Sequence, residues 1–316
     1  FGPMLLVWAL LVVAGLTASV LSSGRALTNA EALGLRAGLS PHVVGLTIVA
    51  IGTDLPEIAN SIIASAEGRG DLNVGDSTGS AATQITLVLG ILCFIRPLPV
   101  KRRLVAISGS LIVAGFALAS LFIADGRLSR IDGALLVASW VFASFVVHRT
   151  TGVGNEIAPE LSAEELESGP GPWILAGSAL LALAIVAAGA TVAVTAFGRL
   201  VDDIGVPEYA SSFLLLSLGT SLPELIVDGR AARAGMTSLA VGGILGSTLL
   251  DATLSLGAGP LLFPTDVSAD AARTTLVVGG IVAMAVLLLL RTKVHGRLTG
   301  ALAIGLYLLL FPIVIS

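Results

Sequence analysis

Two glutamates, Glu57 and Glu224, each follow a proline in the middle of an apolar run, and they stand 167 residues apart. A carboxylate inside such a run costs about 2.5–3.5 kcal/mol on membrane-insertion scales. Two at matching places point to one cation site built from two halves. The match extends beyond the pair. Residues 52–90 and 219–257 align at the same offset without a gap, and 16 of the 39 positions are identical. The shared positions include Gly-Thr-x-Leu-Pro-Glu (Gly52 to Glu57, Gly219 to Glu224) and Gly-Ser (Gly79-Ser80, Gly246-Ser247).

The residues around the glutamates are oxygen donors. Thr53, Glu57 and Ser61 recur every fourth residue, as do Thr220, Glu224 and Asp228, so each set is expected on one helix face. Asp76, Ser80 and Gln84 form a second stripe, and Ser247 and Asp251 form its counterpart. Pro56 and Pro223 cannot donate to the carbonyls of Gly52 and Gly219, which predicts a break or kink there. Freed carbonyls at membrane depth need a cation or water as partner. Calcium takes six to eight such oxygens. Glu57, Glu224 and Asp251 would supply charge, and Gln84 with the hydroxyls would supply neutral ligands. No sulfur or imidazole stands near, so soft transition metals fit poorly. Cys93 reads as packing, and His42, His148 and His295 do not cluster. Ser, Thr, Asn and Gln in spans also serve as interhelical hydrogen-bond partners. For Asn60, Ser61, Thr83 and Thr86 both readings stand. Asp76 and Asp228 fall nearer span ends, where two readings stand: contact with interfacial water, and contact with the ion path.

The elements that must position these groups are membrane spans. The 316 residues are 55% apolar and 12% charged, against about 25% charged in a soluble domain. Apolar runs cover approximately 4–22, 41–66, 73–96, 104–123, 130–148, 172–197, 207–234, 238–262, 272–290 and 297–314. Each is long enough for a hydrocarbon core of ~30 Å, and the roughly ten-residue alternating strands of a barrel are missing. The first start plus 167 gives 171, close to the sixth span. The repeat unit is therefore five spans. Five is odd, so the second copy enters the membrane from the opposite side, the inverted plan of many secondary transporters. The expectation is an all-α integral membrane protein with ten transmembrane helices in two inverted five-helix repeats, 1–148 and 172–316.

Residues 149–171, with five glutamates, read as an acidic polar linker between the halves. One set of loops carries Arg25, Arg36, Arg96, Lys101, Arg102, Arg103, Arg149, Arg230, Arg233, Arg291, Lys293 and Arg297. The other carries only Arg69, Arg127, Arg130, Arg199 and Arg273. The positive-inside rule places the first set, with the linker, in the cytoplasm and both termini outside. The net charge of −4 comes without a basic run, so no nucleic-acid partner is expected. The partners are the lipid bilayer of a cell membrane and inorganic cations, while oligomeric state stays open. The arginine excess points to a prokaryotic source. The chain opens on Phe1 without a methionine or a charged leader, so residues native to its start are expected to be missing.

At these motifs the chain resembles the cation/calcium antiporter superfamily, whose best-known members are sodium/calcium exchangers. Those proteins carry two inverted repeats with a Gly-Thr-Ser-Leu-Pro-Glu core on one helix and a Gly-Ser-Asn-x-x-Asn or Asp core on the next. Here the first repeat has Gly52 to Glu57 and Gly79 to Gln84, and the second Gly219 to Glu224 and Gly246 to Asp251. The resemblance implies Glu57 and Glu224 as calcium carboxylates, with Asp251 and Gln84 at the acidic and amide positions. It implies Ser80, Ser247, Thr53 and Thr220 as the lining of flanking ion sites. Asp54 replaces the usual Ser, which Ser221 retains. Gln84 replaces Asn. Gly75-Asp76 and Gly242-Gly243 replace Gly-Asn. Asp54 adds a charge one turn from Glu57, which raises proton coupling as an alternative.

The function expected is secondary antiport of calcium against a monovalent cation, sodium foremost, by alternating access, with no resident cofactor and no enzyme activity. A proton- or potassium-coupled exchanger of the same fold is the alternative. An intramembrane aspartyl protease using Asp76 and Asp251 is a remote one, because its Gly-x-Gly-Asp signature is incomplete at Asn73 and leaves the repeat unexplained.

Overall fold

The computed structural model describes residues 3–36, 54–151, 169–233, 235 and 237–315. Long helices dominate it. α1 is Pro3–Arg36 and α2 is Leu55–Ala66. α3 is Gly70–Ile95. α4 is Arg102–Ile123 and α5 Arg130–Thr151. In the second half, α6 is Pro172–Ile204, α7 covers 208–220, α8 is Leu222–Arg233 and α9 covers 237–262. α10 is Ala269–Arg291 and α11 Arg297–Ile315. Nine spans among the described residues are long and apolar enough to cross a membrane. Of the second expected span, 41–66, the structure describes the α2 part.

The 167-residue period reappears in the backbone. Shifting the bounds of α2, Leu55–Ala66, by 167 gives 222 and 233, the bounds of α8. The starts of α3, α4 and α5 shift onto the starts of α9, α10 and α11 in the same way. Gly68 and Gly235, again 167 apart, take φ of 73° and 86°. Both sit in the tight turn after a half-helix, where an L side chain would clash.

Among the described residues, four two-residue strands join the halves. β1 (Leu98–Pro99) pairs with β4 (Val294–His295), and β2 (Arg127–Leu128) pairs with β3 (Thr265–Asp266), both antiparallel. Leu98 opposite His295 maps under the shift onto Thr265 opposite Leu128, so the two registers are the same. β1 precedes α4 and β4 follows α10, yet they lie side by side. α4 therefore begins at the membrane face where its repeat counterpart α10 ends, and the repeats are inverted. Sequence reading missed these ladders, because two residues carry no alternation to read.

Close helix approach follows the same symmetry. A Cβ on Gly133 of α5 would lie 2.7 Å from the Gly257 carbonyl of α9, and one on Gly300 of α11 would lie 2.7 Å from the Gly90 carbonyl of α3. The second pair is the first shifted by 167. Glycine is what lets these backbones touch. α1 and α6 pack along each other at Gly15 and Gly189, with lipid-facing Leu6, Leu10 and Val13 on the outer side.

Two span limits differ from the hydropathy reading. α1 continues to Arg36 rather than ending near residue 22, and α6 to Ile204 rather than 197. The polar extension is held by contacts that hydropathy cannot see, such as Asn29 Nδ2 donating to Ser178 Oγ at 2.9 Å. At the other end of α6, Arg69 reaches Glu208 at 2.6 Å and Asp202 at 2.9 Å. Its guanidinium is stabilised in the charged form chiefly by the Asp202 hydrogen bond, then by Glu208.

Candidate ion-binding site

Two half-helices, α2 and α8, meet the full-length α3 and α9 at the centre of the bundle. Glu57 lies in the first turn of α2 and Glu224 in the first turn of α8. Pro56 and Pro223 suit that position, because a first-turn residue has no intrahelical acceptor for its N–H. The partial positive charge of each helix start favours the carboxylate there. The expected break is visible in the second half. α7 ends at Thr220, Ser221 leaves helical geometry with ψ of 3°, and α8 begins at Leu222. In the first half, Asp54 stands at the same non-helical position, with ψ of 16°.

The partner helices α3 and α9 are also irregular at the centre. Each contains one π-helical turn, Gln84–Val88 in α3 and Asp251–Ser255 in α9. Such turns occur often at functional sites. They begin on the amide and the acid that the repeat puts at matching places. A further π-turn, Ser212–Leu216, lies in α7. Sequence reading missed all three, since a π-turn adds no distinct residue pattern.

The acid groups face one another. Glu57 has Glu224, Asp251, Asp54 and Asp76 for charged neighbours. Asp54 stands beside Ser247 and Glu224, and Gln84 stands beside Asp251. Glu57 and Asp251 are 0% exposed and Glu224 is 2% exposed. Both carboxylate oxygens of Asp54, Glu57, Glu224 and Asp251 lack an aligned hydrogen-bond donor, as do the Gln84 amide and the Ser221 hydroxyl. Ion pairs between described residues involve Arg69, Arg127 and Arg273, and none reaches this centre. Buried oxygens in this number, without donors, are what a desolvated cation requires. Among the described residues no three Asp, Glu, His or Cys side chains converge tightly enough to chelate one ion alone. A cation here would draw on hydroxyl, amide and backbone oxygens as well.

Thr220 and Ser80 are brought together, their hydroxyls 3.1 Å apart. Ser247 is buried next to Asp54. Thr53 lies outside the described residues. The stripe of Thr220, Glu224 and Asp228 is not one continuous helix face, because the turn at Ser221 separates Thr220 from the other two. Asp76 and Asp228 do not reach an interface. They are 2% and 5% exposed, inside the bundle. Asp76 accepts from Asn60 Nδ2 at 3.1 Å, and the Thr220 hydroxyl lies 3.4 Å from its other oxygen. Span position alone misjudged them, because α3 and α8 are covered by neighbouring helices even near their ends. Ser61 holds two helices together, its hydroxyl accepting the Gly259 backbone N–H at 3.0 Å. Thr86 bonds back to the Ala82 carbonyl.

Comparison with known proteins gives a consistent answer. The family model described as sodium/calcium exchanger protein matches residues 6–149 and 174–315. The putative antiporter CaxA of Alkalimonas amylolytica is 30% identical over 271 residues, covering 85% of this chain and 85% of that protein. The sodium/calcium exchanger MaX1 of Methanosarcina acetivorans is 25% identical over 302 residues, covering 84% and 86%. A solved structure of the sodium-calcium exchanger NCX_Mj, soaked with sodium and strontium, shares the fold. Its TM-score is 0.60 at 24% identity, over 96% of this chain and 98% of that one.

Proposed function

Because the chain belongs to the sodium/calcium exchanger family, we propose that it exchanges calcium for sodium by alternating access at a site formed around Glu57 and Glu224. Its relatives are transporters and not enzymes, which sets the protease reading aside. The observation that carries the proposal is the set of fully buried carboxylates without a cationic side chain beside them. Empty and ionised, such a site repels itself in a low-dielectric interior, so crossing without a bound cation is strongly disfavoured. That couples the movement of one ion to the return of another. Asp251, Gln84, Ser221 and Ser247 would complete the shell, with Asp54 beside it and Ser80, Thr220 and Thr53 lining the approaches.

The meeting of the half-helices α2 and α8 with the π-turns of α3 and α9 supports a fixed central site around which other helices move. α1 and α6 are suited to that movement, since their most extensive packing is against each other. The halves would be 1–148 and 172–316, with 149–171 and the arginine-rich loops in the cytoplasm and both termini outside.

The test is flux in proteoliposomes. Glu57→Gln and Glu224→Gln each keep the side-chain shape and remove one charge. Sodium-driven calcium uptake is expected to fall at least about a hundredfold in either, in line with the loss of a charged ligand worth about 3 kcal/mol. Wild-type uptake in both would refute the assignment. Proton coupling is the second reading, and Asp54 favours it by placing another carboxyl next to Glu224. Calcium uptake driven by a pH gradient without sodium would support that reading instead.

A further inference from the structure

Arg69 lies in the turn between α2 and α3 and reaches two other helices. Its guanidinium donates to Asp202 of α6 at 2.9 Å and to Glu208, the first residue of α7, at 2.6 Å. Glu67, in the same turn, accepts the Thr195 hydroxyl of α6. Between these contacts stands Gly198 of α6, and a Cβ there would collide with the Arg69 guanidinium. The guanidinium therefore lies against bare α6 backbone, in a notch that any side chain would fill.

The notch fits one position of α6. Displaced along its axis by one turn, about 5.4 Å, α6 would bring Val194 or Thr195, or else Val201 or Asp202, to where Gly198 now stands. Each carries a side chain, so Arg69 has to withdraw before α6 moves that far. One guanidinium also cannot follow α6 and stay with α7, so either the Asp202 or the Glu208 pair breaks. Arg199, the other cation near Asp202, is on α6 itself and travels with it. α1 is tied to the same end of α6, where Trp8 Nε1 donates to Asp203 at 3.1 Å.

The repeat does not supply this arrangement twice. Under the 167-residue shift, Glu67 corresponds to Ala234, Arg69 to Met236, Gly198 to Glu31, Asp202 to Leu35 and Glu208 to Pro41. Equal contacts at both ends of an inverted repeat would give two access states of similar energy. A contact made at one end alone makes them unequal.

We infer that Arg69, Gly198 and Asp202 form a one-sided catch, which holds α6 in its observed position and opens before α1 and α6 move. The inference rests on the alternating-access reading for the movement itself, and adds which end resists it. The test is a distance distribution by pulsed electron spin resonance on the full chain in liposomes, with sodium and with calcium. Spin labels go on Ala124→Cys, after α4, and Ile204→Cys, at the end of α6, both exposed, with Cys93→Ala removing the native thiol. Asp202→Asn removes the charge on α6 and leaves the Arg69–Glu208 pair in place. The ratio of displaced to held α6 is expected to rise about threefold, the scale of a half-exposed ion pair. Gly198→Ala fills the notch with every charge kept and should shift the ratio the same way. Asp270→Asn, which breaks an exposed pair within α10, should leave it unchanged. Identical distributions in wild type, Asp202→Asn and Gly198→Ala, or a shift toward the held position, would overturn the catch. If exchange of calcium for sodium fails while the distances shift, the antiport reading falls and the catch stands.

Discussion

Gly79→Ala is the sharpest probe of how the site is held, because its effect follows from one helix contact. A Cβ at Gly79 would lie 2.6 Å from the Phe213 carbonyl oxygen and 2.9 Å from the Phe213 Cα, where ordinary contact begins at 3.4 Å. Those are backbone atoms and cannot swing aside, so α3 and α7 must part by about 0.8 Å (3.4 − 2.6). Overpacking of this kind costs about 1–3 kcal/mol. The Ser80–Thr220 contact, now 3.1 Å, would open to about 3.9 Å, beyond hydrogen-bond range, at about 1 kcal/mol more. Replacing glycine within a helix returns about 0.5–1 kcal/mol. The net expectation is a loss of about 1–3.5 kcal/mol, with weaker sodium stabilisation because Ser80 and Thr220, which would line the ion approaches, are pulled apart. Gly280→Ala on α10, where a Cβ meets nothing within 4 Å, is the control and should be neutral or slightly stabilising. The assay is thermal unfolding in detergent with and without sodium. Equal midpoints and equal sodium curves for Gly79→Ala and wild type would refute the packing argument.

Two other predictions concern the bundle ends. Arg69→Met removes ion pairs at 2.6 and 2.9 Å that tie α6 and α7 to the α2–α3 turn. It should cost about 1–2 kcal/mol, since Asp202 is half exposed and its share is screened. The midpoint difference from wild type should shrink as salt rises, and a salt-independent difference would show that packing, not charge, is lost. His295 is buried in the β1–β4 ladder, and burial pushes its imidazole below 6.5. The folded state then holds it neutral while the unfolded chain binds a proton as pH falls below about 6.5, so its contribution to stability drops on acidification. Wild type should lose more stability than His295→Asn between neutral pH and about pH 5.5, the difference levelling off below the folded value; parallel curves would refute this.

The repeat and the hydropathy runs carried most of the fold, because both are periodic over long stretches. The pairing of Glu57 with Glu224 followed from the same period. Local geometry was harder to see. The Pro56 and Pro223 signals announced a broken helix, yet nothing in the spelling of Gln84–Val88 or Asp251–Ser255 distinguishes a π-turn from an α-turn. Thr220 and Glu224 have the spacing of one helix face, but the turn at Ser221 divides them, so side-chain periodicity failed where backbone continuity failed. Asp76 and Asp228 were misplaced for another reason. Their burial depends on which helices cover α3 and α8, and that is a property of packing rather than of sequence order.

The two small strand ladders have a topological consequence. Each membrane face carries one strand from either half, so each half closes the other's loops at both ends. Besides the helix packing between them, the halves are joined by two pairs of strands, one at each membrane face. The strands thus set the register between the halves at both faces at once.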